Sequence, residues 1–117
     1  MSTYNKRKGA TFETDVLKWL RSKKIIAERL TKAGSKDEGD IVIYVNNEPR
    51  VLELKATKKI DLPTFWAEAT VEASNFAKAR ALPTTPNSYI ILKRRMAGIE
   101  KAWVIQSLEQ WIERNSE

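Results

Sequence analysis

The sequence contains no histidine and no cysteine. Without cysteine there is no disulfide framework, and without either residue the usual zinc sites cannot be built. Ser-His and Cys-His nucleophilic catalysis are excluded too, as is imidazole as a general base. Long apolar runs are also missing: none approaches the roughly 20 residues needed to cross a bilayer. The stretch from Met1 to Lys8 is polar and basic and lacks the apolar core of a signal peptide, so a cytoplasmic protein is expected. The remaining chemistry belongs to carboxylates, lysines, hydroxyls and backbone. An enzyme made from these works most naturally with a hard cation on oxygen ligands, Mg²⁺ or Mn²⁺.

What is present points to one compact domain, residues 1–117, of which 42% are apolar with four tryptophans among them, enough for a buried core. Lysine and arginine outnumber aspartate and glutamate by 21 to 15, a formal charge of +6. The basic residues gather as Lys6-Arg7-Lys8, Lys23-Lys24, Lys58-Lys59 and Lys93-Arg94-Arg95. A surface of this kind attracts polyanions, nucleic acid first among them, although a solvated basic surface without a partner has the same composition.

Phe12, Val16, Leu17, Trp19 and Leu20 recur at helical spacing, which predicts an amphipathic helix over 9–22 behind a basic arm. A short strand is expected over 24–30, then a polar loop over 31–39 carrying Gly34 and Gly39. Residues 41–45 and 50–56 read as two strands of a hairpin with Asn46-Asn47-Glu48-Pro49 as turn material. Pro63 opens a second helix that runs to about Ala81, with Phe65, Ala69, Ala73, Phe76 and Ala77 on one face. Trp66 is offset from that stripe and reads either as a dimer contact or as a slightly wider core stripe. Two strands over 88–93 and 102–105 follow, turning at Gly98. Ser107 and Gln110 form a capping-box pattern ahead of a short helix with Leu108, Trp111 and Ile112. The order α-β-β-β-α-β-β-α describes an α/β fold, a mixed sheet flanked by helices.

Alternation places Val51, Glu53 and Lys55 on one face of the second hairpin strand, and Leu52, Leu54 and Ala56 on the other. Two charges on a strand that otherwise looks buried are costly unless paired or bound to a metal. A two-residue turn at Asn46-Asn47 sets Asp40 opposite Glu53, whereas a four-residue loop sets it opposite Lys55; in both cases Asp40 joins their face. Only an unbulged three-residue loop separates them. Glu13, at the border of the first helix's apolar stripe, is a candidate third carboxylate. Each of these residues taken singly has an ordinary structural reading: a surface ion pair, a turn aspartate, a helix N-terminal glutamate.

The combination resembles the PD-(D/E)xK nuclease superfamily, and within it the archaeal-type Holliday-junction resolvases. The residues that carry the resemblance are Gly39-Asp40-Ile41-Val42, Glu53-Leu54-Lys55 and the helical Glu13. Lys8-Gly9, Phe12, Arg29, Gly34-Ser35 and the run Phe76-Ala77-Lys78-Ala79-Arg80 extend it over most of the chain. Gly39 stands where the superfamily's name has proline. The resemblance implies a restriction-endonuclease-like sheet and a Mg²⁺-dependent endodeoxyribonuclease (Mn²⁺ as substitute). It implies metal binding by Asp40 and Glu53, with Glu13 joining directly or through water. Lys55 is then expected to orient the attacking water, and Ser35 to assist catalysis or contact the DNA backbone. Lys6, Arg7, Lys8 and Arg29 are candidates for contacting nucleic acid, together with Lys32, Lys36, Lys58 and Lys59. The implied partners are a four-way DNA junction and a second copy of the chain, as a homodimer, and no membrane. Three other readings remain open: an endonuclease of the same fold with another DNA substrate, a non-catalytic nucleic-acid-binding module, and a structural or inhibitor-type domain.

Overall fold

A computed structural model describes the backbone of residues 3–31 and 36–115, and side chains over 8–31 and 36–113. The elements are α1 (Thr3–Ser22), β1 (Ile26–Arg29), β2 (Ile41–Val45), β3 (Glu48–Lys55), α2 (Leu62–Ala79), β4 (Asn87–Leu92), β5 (Trp103–Ile105) and α3 (Leu108–Asn115), with a single 3₁₀ turn at Ile99–Lys101. The expected order α-β-β-β-α-β-β-α is found. The five strands lie in the order β1-β2-β3-β4-β5; β3 and β4 are parallel and the other neighbours antiparallel. The parallel pair requires a crossover, and α2 supplies it.

A helix covers each face of the sheet. Phe12, Val16 and Leu17 of α1 pack with Ala27, Ile41, Leu52, Tyr89 and Ile91 on one side. Ala73 and Phe76 of α2 pack with Val42 and Val51 on the other, and Phe65 and Ala69 with Ile90 and Leu92. Every residue of β4 from Ser88 to Leu92 is buried, as a central strand covered on both faces must be. Trp66 is half-buried against the Phe65–Ile90 cluster, as the wider core stripe has it.

The element boundaries differ from expectation in two places. The first helix begins at Thr3 and not at residue 9, so Lys6-Arg7-Lys8 is helical and not an arm. The apolar stripe starts only at Phe12, so periodicity carries no information about the preceding turns, and no proline interrupts them. The first strand is shorter than 24–30, because Lys24 has a left-handed backbone (φ 63°) and closes the turn out of α1.

The hairpin has the two-residue turn. Asn46 (φ 53°) and Asn47 (φ 66°) are both left-handed, the type I′ geometry that asparagine tolerates, and Val45 pairs with Glu48. Asp61 caps α2, its carboxylate accepting from the Thr64 N–H at 3.3 Å. Ser107 Oγ accepts from the Gln110 N–H at 3.1 Å, while the Gln110 side chain donates to Ser88 O at 2.9 Å and ties α3 to β4. The outer surface of β5 and α3 is apolar and exposed at Trp103, Val104, Leu108 and Ile112. No helix among the described residues is long and apolar enough to cross a membrane.

Gly39 has φ +107°, and a Cβ added there would lie 2.5 Å from Val51 Cγ1. Proline, locked near about −65°, cannot take this backbone, and any other side chain meets the core. Gly39→Ala is expected to destabilise the fold by about 1–3 kcal/mol, read as a lower urea midpoint; an unchanged midpoint would show that the loop relaxes freely.

Candidate active site

The hairpin register puts Ile41 opposite Leu52 on the α1 face. The regular pairing stops there. Asp40 stands one residue before β2, and its main chain bonds to Leu52, so it does not extend the ladder to a pair with Glu53 but lies beside the stretch of β3 that carries Glu53 and Lys55. Asp40 is held by both its main chain and its side chain. Its N–H donates to Leu52 O at 3.1 Å, its carbonyl accepts from Leu30 N–H at 2.9 Å, and its Oδ2 accepts from Leu54 N–H at 2.7 Å. The loop leading into it is anchored as well. Gly39 N–H donates to Asp37 Oδ1 (2.9 Å), Asn75 Nδ2 of α2 donates to Asp37 O (2.9 Å), and Arg80 pairs with Glu38 (3.0 Å).

Glu53 is only 7% exposed. Its Oε1 lies 3.9 Å from Lys55 Nζ, and its Oε2 is buried with no hydrogen-bond partner among the described residues. Lys55 is engaged more closely from α2: its Nζ lies 2.9 Å from Glu68 Oε2 and 4.7 Å from the centre of the Phe65 ring. Glu13, on the other side of the sheet, pairs with Arg29 Nε at 3.0 Å, and Arg29 also donates to Thr14 Oγ1 at 2.7 Å.

The structure therefore brings Asp40 to the end of β3 that carries Glu53 and Lys55. It turns Glu13 toward Arg29, although the Asp40 charge is still felt there. Lys36, Lys58 and Lys59 are exposed, and Lys8 is half-buried on α1. Ser35 and Lys32 lie outside the described residues, as do the side chains of Lys6 and Arg7. A further basic group joins the same end of the sheet. Lys58 and Lys59 follow Lys55 directly, while Lys93, Arg94 and Arg95 are exposed and follow β4, whose Leu92 pairs with Lys55; Lys93 N–H donates to Lys55 O at 3.0 Å.

Two acids on α2, Glu68 and Glu72, also belong to this neighbourhood. Their four-residue spacing puts them on one helix face, and Glu72, three residues after Ala69 and four before Phe76, falls on the buried stripe. An acid on an otherwise apolar stripe is the sequence signal that marks it. Glu72 is 8% exposed, and a Cβ built at Gly39 would lie 3.8 Å from its Oε2.

The acids outnumber their cationic partners, and their proton affinities show it. Burial, then repulsion from Asp37 and Asp40, pushes the Glu72 carboxyl up to about 8. Burial raises Asp40 as well, against the Leu54 N–H and Lys55, which favour its ionised form. Glu13 is raised by burial and by Asp40, with Arg29 opposing.

Among the described residues no three acidic side chains stand close enough together to hold an ion between them. The Asp40–Glu53 pair nonetheless suits a divalent cation. Both offer anionic oxygen, Glu53 Oε2 is orphaned and buried, and Mg²⁺ commonly takes one or two carboxylates and keeps its remaining waters.

No family model and no curated protein matches the sequence. A solved structure does match: Hjc, a Holliday junction resolvase from the archaeal hyperthermophile Archaeoglobus fulgidus, superposes with a TM-score of 0.54. The chain has the resolvase fold. The match covers 85% of this chain and 88% of that one at 22% identity, so what the two share is the mixed sheet with its flanking helices.

A carboxyl raised from 4.5 to about 8 keeps its proton longer in the folded chain than in the unfolded one. The stabilisation it lends is complete below 4.5 and is lost as pH rises toward 8. In EDTA the melting temperature is expected to fall between pH 5 and pH 8, and to fall less in Glu72→Gln. Equal slopes for the two proteins would rule out Glu72 as the source.

Proposed function

We propose that the protein is a Mg²⁺-dependent endodeoxyribonuclease that resolves four-way DNA junctions, acting as a homodimer in the cytoplasm. The observation that supports this reading is the nearness of Asp40, Glu53 and Lys55 at one end of the hairpin, in a chain with the fold of a Holliday junction resolvase.

Asp40 and Glu53 are the metal ligands in this reading, with Glu13 joining directly or through water once it leaves Arg29. A cation bound there activates water and offsets charge on the phosphate and the leaving oxygen, work for which a chain without histidine has no side chain of its own. The Leu54 N–H orients the Asp40 carboxylate before any ligand arrives. Lys55, steadied by Glu68 and by the Phe65 ring, supplies fixed positive charge where negative charge grows on the phosphate, and orients the attacking water. Ser35 assists or contacts the DNA backbone, as the resemblance implies. Lys58, Lys59 and the Lys93–Arg95 run flank the site and would follow the phosphates, with Lys6, Arg7, Lys8, Arg29, Lys32 and Lys36 extending the basic surface, so affinity falls steeply with salt. The exposed apolar surface of β5 and α3 is where a second copy has most to cover.

A labelled four-way junction, linear duplex and flap DNA incubated with Mg²⁺, Mn²⁺ or EDTA test the reading. Paired symmetric nicks on the junction alone, lost in EDTA, are the expected result. Cleavage of every substrate would keep the nuclease and discard junction specificity, and binding without cleavage would favour a non-catalytic module. Asp40→Asn and Glu53→Gln are expected to abolish cleavage while retaining DNA binding, and Lys55→Ala to slow it by about 10²–10³-fold. Wild-type rates in either carboxylate variant would overturn the site assignment.

A further inference from the structure

Outside the Asp40–Glu53–Lys55 group, the most anomalous side chain in the molecule is Glu72. It is more than nine-tenths buried, its Oε2 has no hydrogen-bond partner among the described residues, and no lysine or arginine pairs with it. The charges of Asp37 and Asp40, both of its own sign, act on it. A core position on α2 between Ala69 and Ala73 would be better served by an apolar residue. Burial of an acid without a partner costs stability, and nothing in the fold offsets that cost.

The carboxylate is aimed at the Gly39–Asp40 segment, since its Oε2 is the polar side-chain atom nearest to a Cβ built on Gly39. On its other side Glu72 lines an open cleft of about 510 Å³ between α2 and the loop ahead of Asp40, together with Lys36, Asp37, Glu68 and Asn75. Glu72 thus stands between that cleft and the Gly39–Asp40 segment, and Glu53 on β3 carries a second buried oxygen without a hydrogen-bond partner among the described residues.

We propose that Glu72 is a positioning residue of the cation site, receiving through a bound water the hydrated divalent ion carried by Asp40 and Glu53. The inference rests on the metal-dependent reading above and adds to it an acid from α2 that the Asp…Glu-x-Lys pattern does not contain. An outer position agrees with the spacing of the acids, which do not converge closely enough for three of them to touch one ion. It also agrees with the habit of Mg²⁺, which dehydrates reluctantly and is commonly gripped through its waters. Outer-shell partners of this kind fix the orientation of a site and strengthen its hold on the ion.

The test is binding of Mn²⁺ to the full chain without DNA, followed by calorimetry and by the electron paramagnetic resonance of free Mn²⁺. Wild type, Glu72→Gln, Glu72→Met and the surface control Glu109→Gln are compared, with folding checked by circular dichroism. Glu72→Gln and Glu72→Met are expected to bind Mn²⁺ about 10–100-fold more weakly than wild type, with Glu109→Gln unchanged. Two variants guard against one of them failing to fold. Wild-type affinity in a folded Glu72 variant overturns the inference and leaves the nuclease reading standing. Equal weakening in Glu109→Gln reduces the effect to general charge and overturns it as well. Absence of Mn²⁺ binding by the wild type removes the cation site itself, and both readings with it.

Discussion

Two consecutive left-handed residues, Asn46 and Asn47, set the register on which the rest of the site depends. With Val45 paired to Glu48, each later pair along β2 and β3 follows without choice as far as Ile41 and Leu52, and Asp40 arrives beside the end of β3 that carries Glu53 and Lys55. A slip of one residue would send Glu53 and Lys55 to the apolar face under α1, toward Phe12 and Leu17, and would turn Leu52 toward α2. The apolar pattern of both faces therefore enforces the same register as the turn. Agreement between local turn chemistry and global burial makes the hairpin a rigid platform for charged groups.

The charges on that platform are not balanced for stability. Glu53 and Glu72 each have a buried oxygen without a hydrogen-bond partner among the described residues, and half-buried Asp40 feels the charge of Asp37. Lys55 is shared between Glu53 and Glu68, and Arg29 is drawn to Glu13 on the opposite face. A protein selected only to fold would replace several of these acids, because the raised proton affinities of Asp40 and Glu72 cost folding stability at neutral pH. Their survival at one end of a well-packed sheet is the physical case for a cationic ligand there. The basic residues that follow β3 and β4 surround this acidic centre with the opposite sign. That arrangement suits a phosphate backbone drawn in by the rim and a metal ion held at the middle.

Much of this was legible in the amino-acid sequence. The absence of histidine and cysteine confined the chemistry to oxygen ligands and lysine. Period-2 and period-3.6 patterns located the hairpin, the helices and their buried faces, because burial of apolar side chains is periodic wherever an element has one covered face. The nearness of Asp40 to Glu53 and Lys55 was expected from strand alternation and two of the three turn lengths considered, although the regular ladder ends one residue before Asp40. The start of α1 was hidden, since a solvated helical turn has no apolar period to read.

What only the tertiary structure decided is which charges meet. The choice of the two-residue turn, the reach of Glu68 to Lys55, the pairing of Glu13 with Arg29 and the burial of Glu72 beside Gly39 all join residues distant in sequence. So does the gathering of two basic clusters at the paired ends of β3 and β4. Local pattern reports the environment of a residue averaged over its element. The identity of a partner across the fold depends on crossover and register, which arise only when the helices close over the sheet.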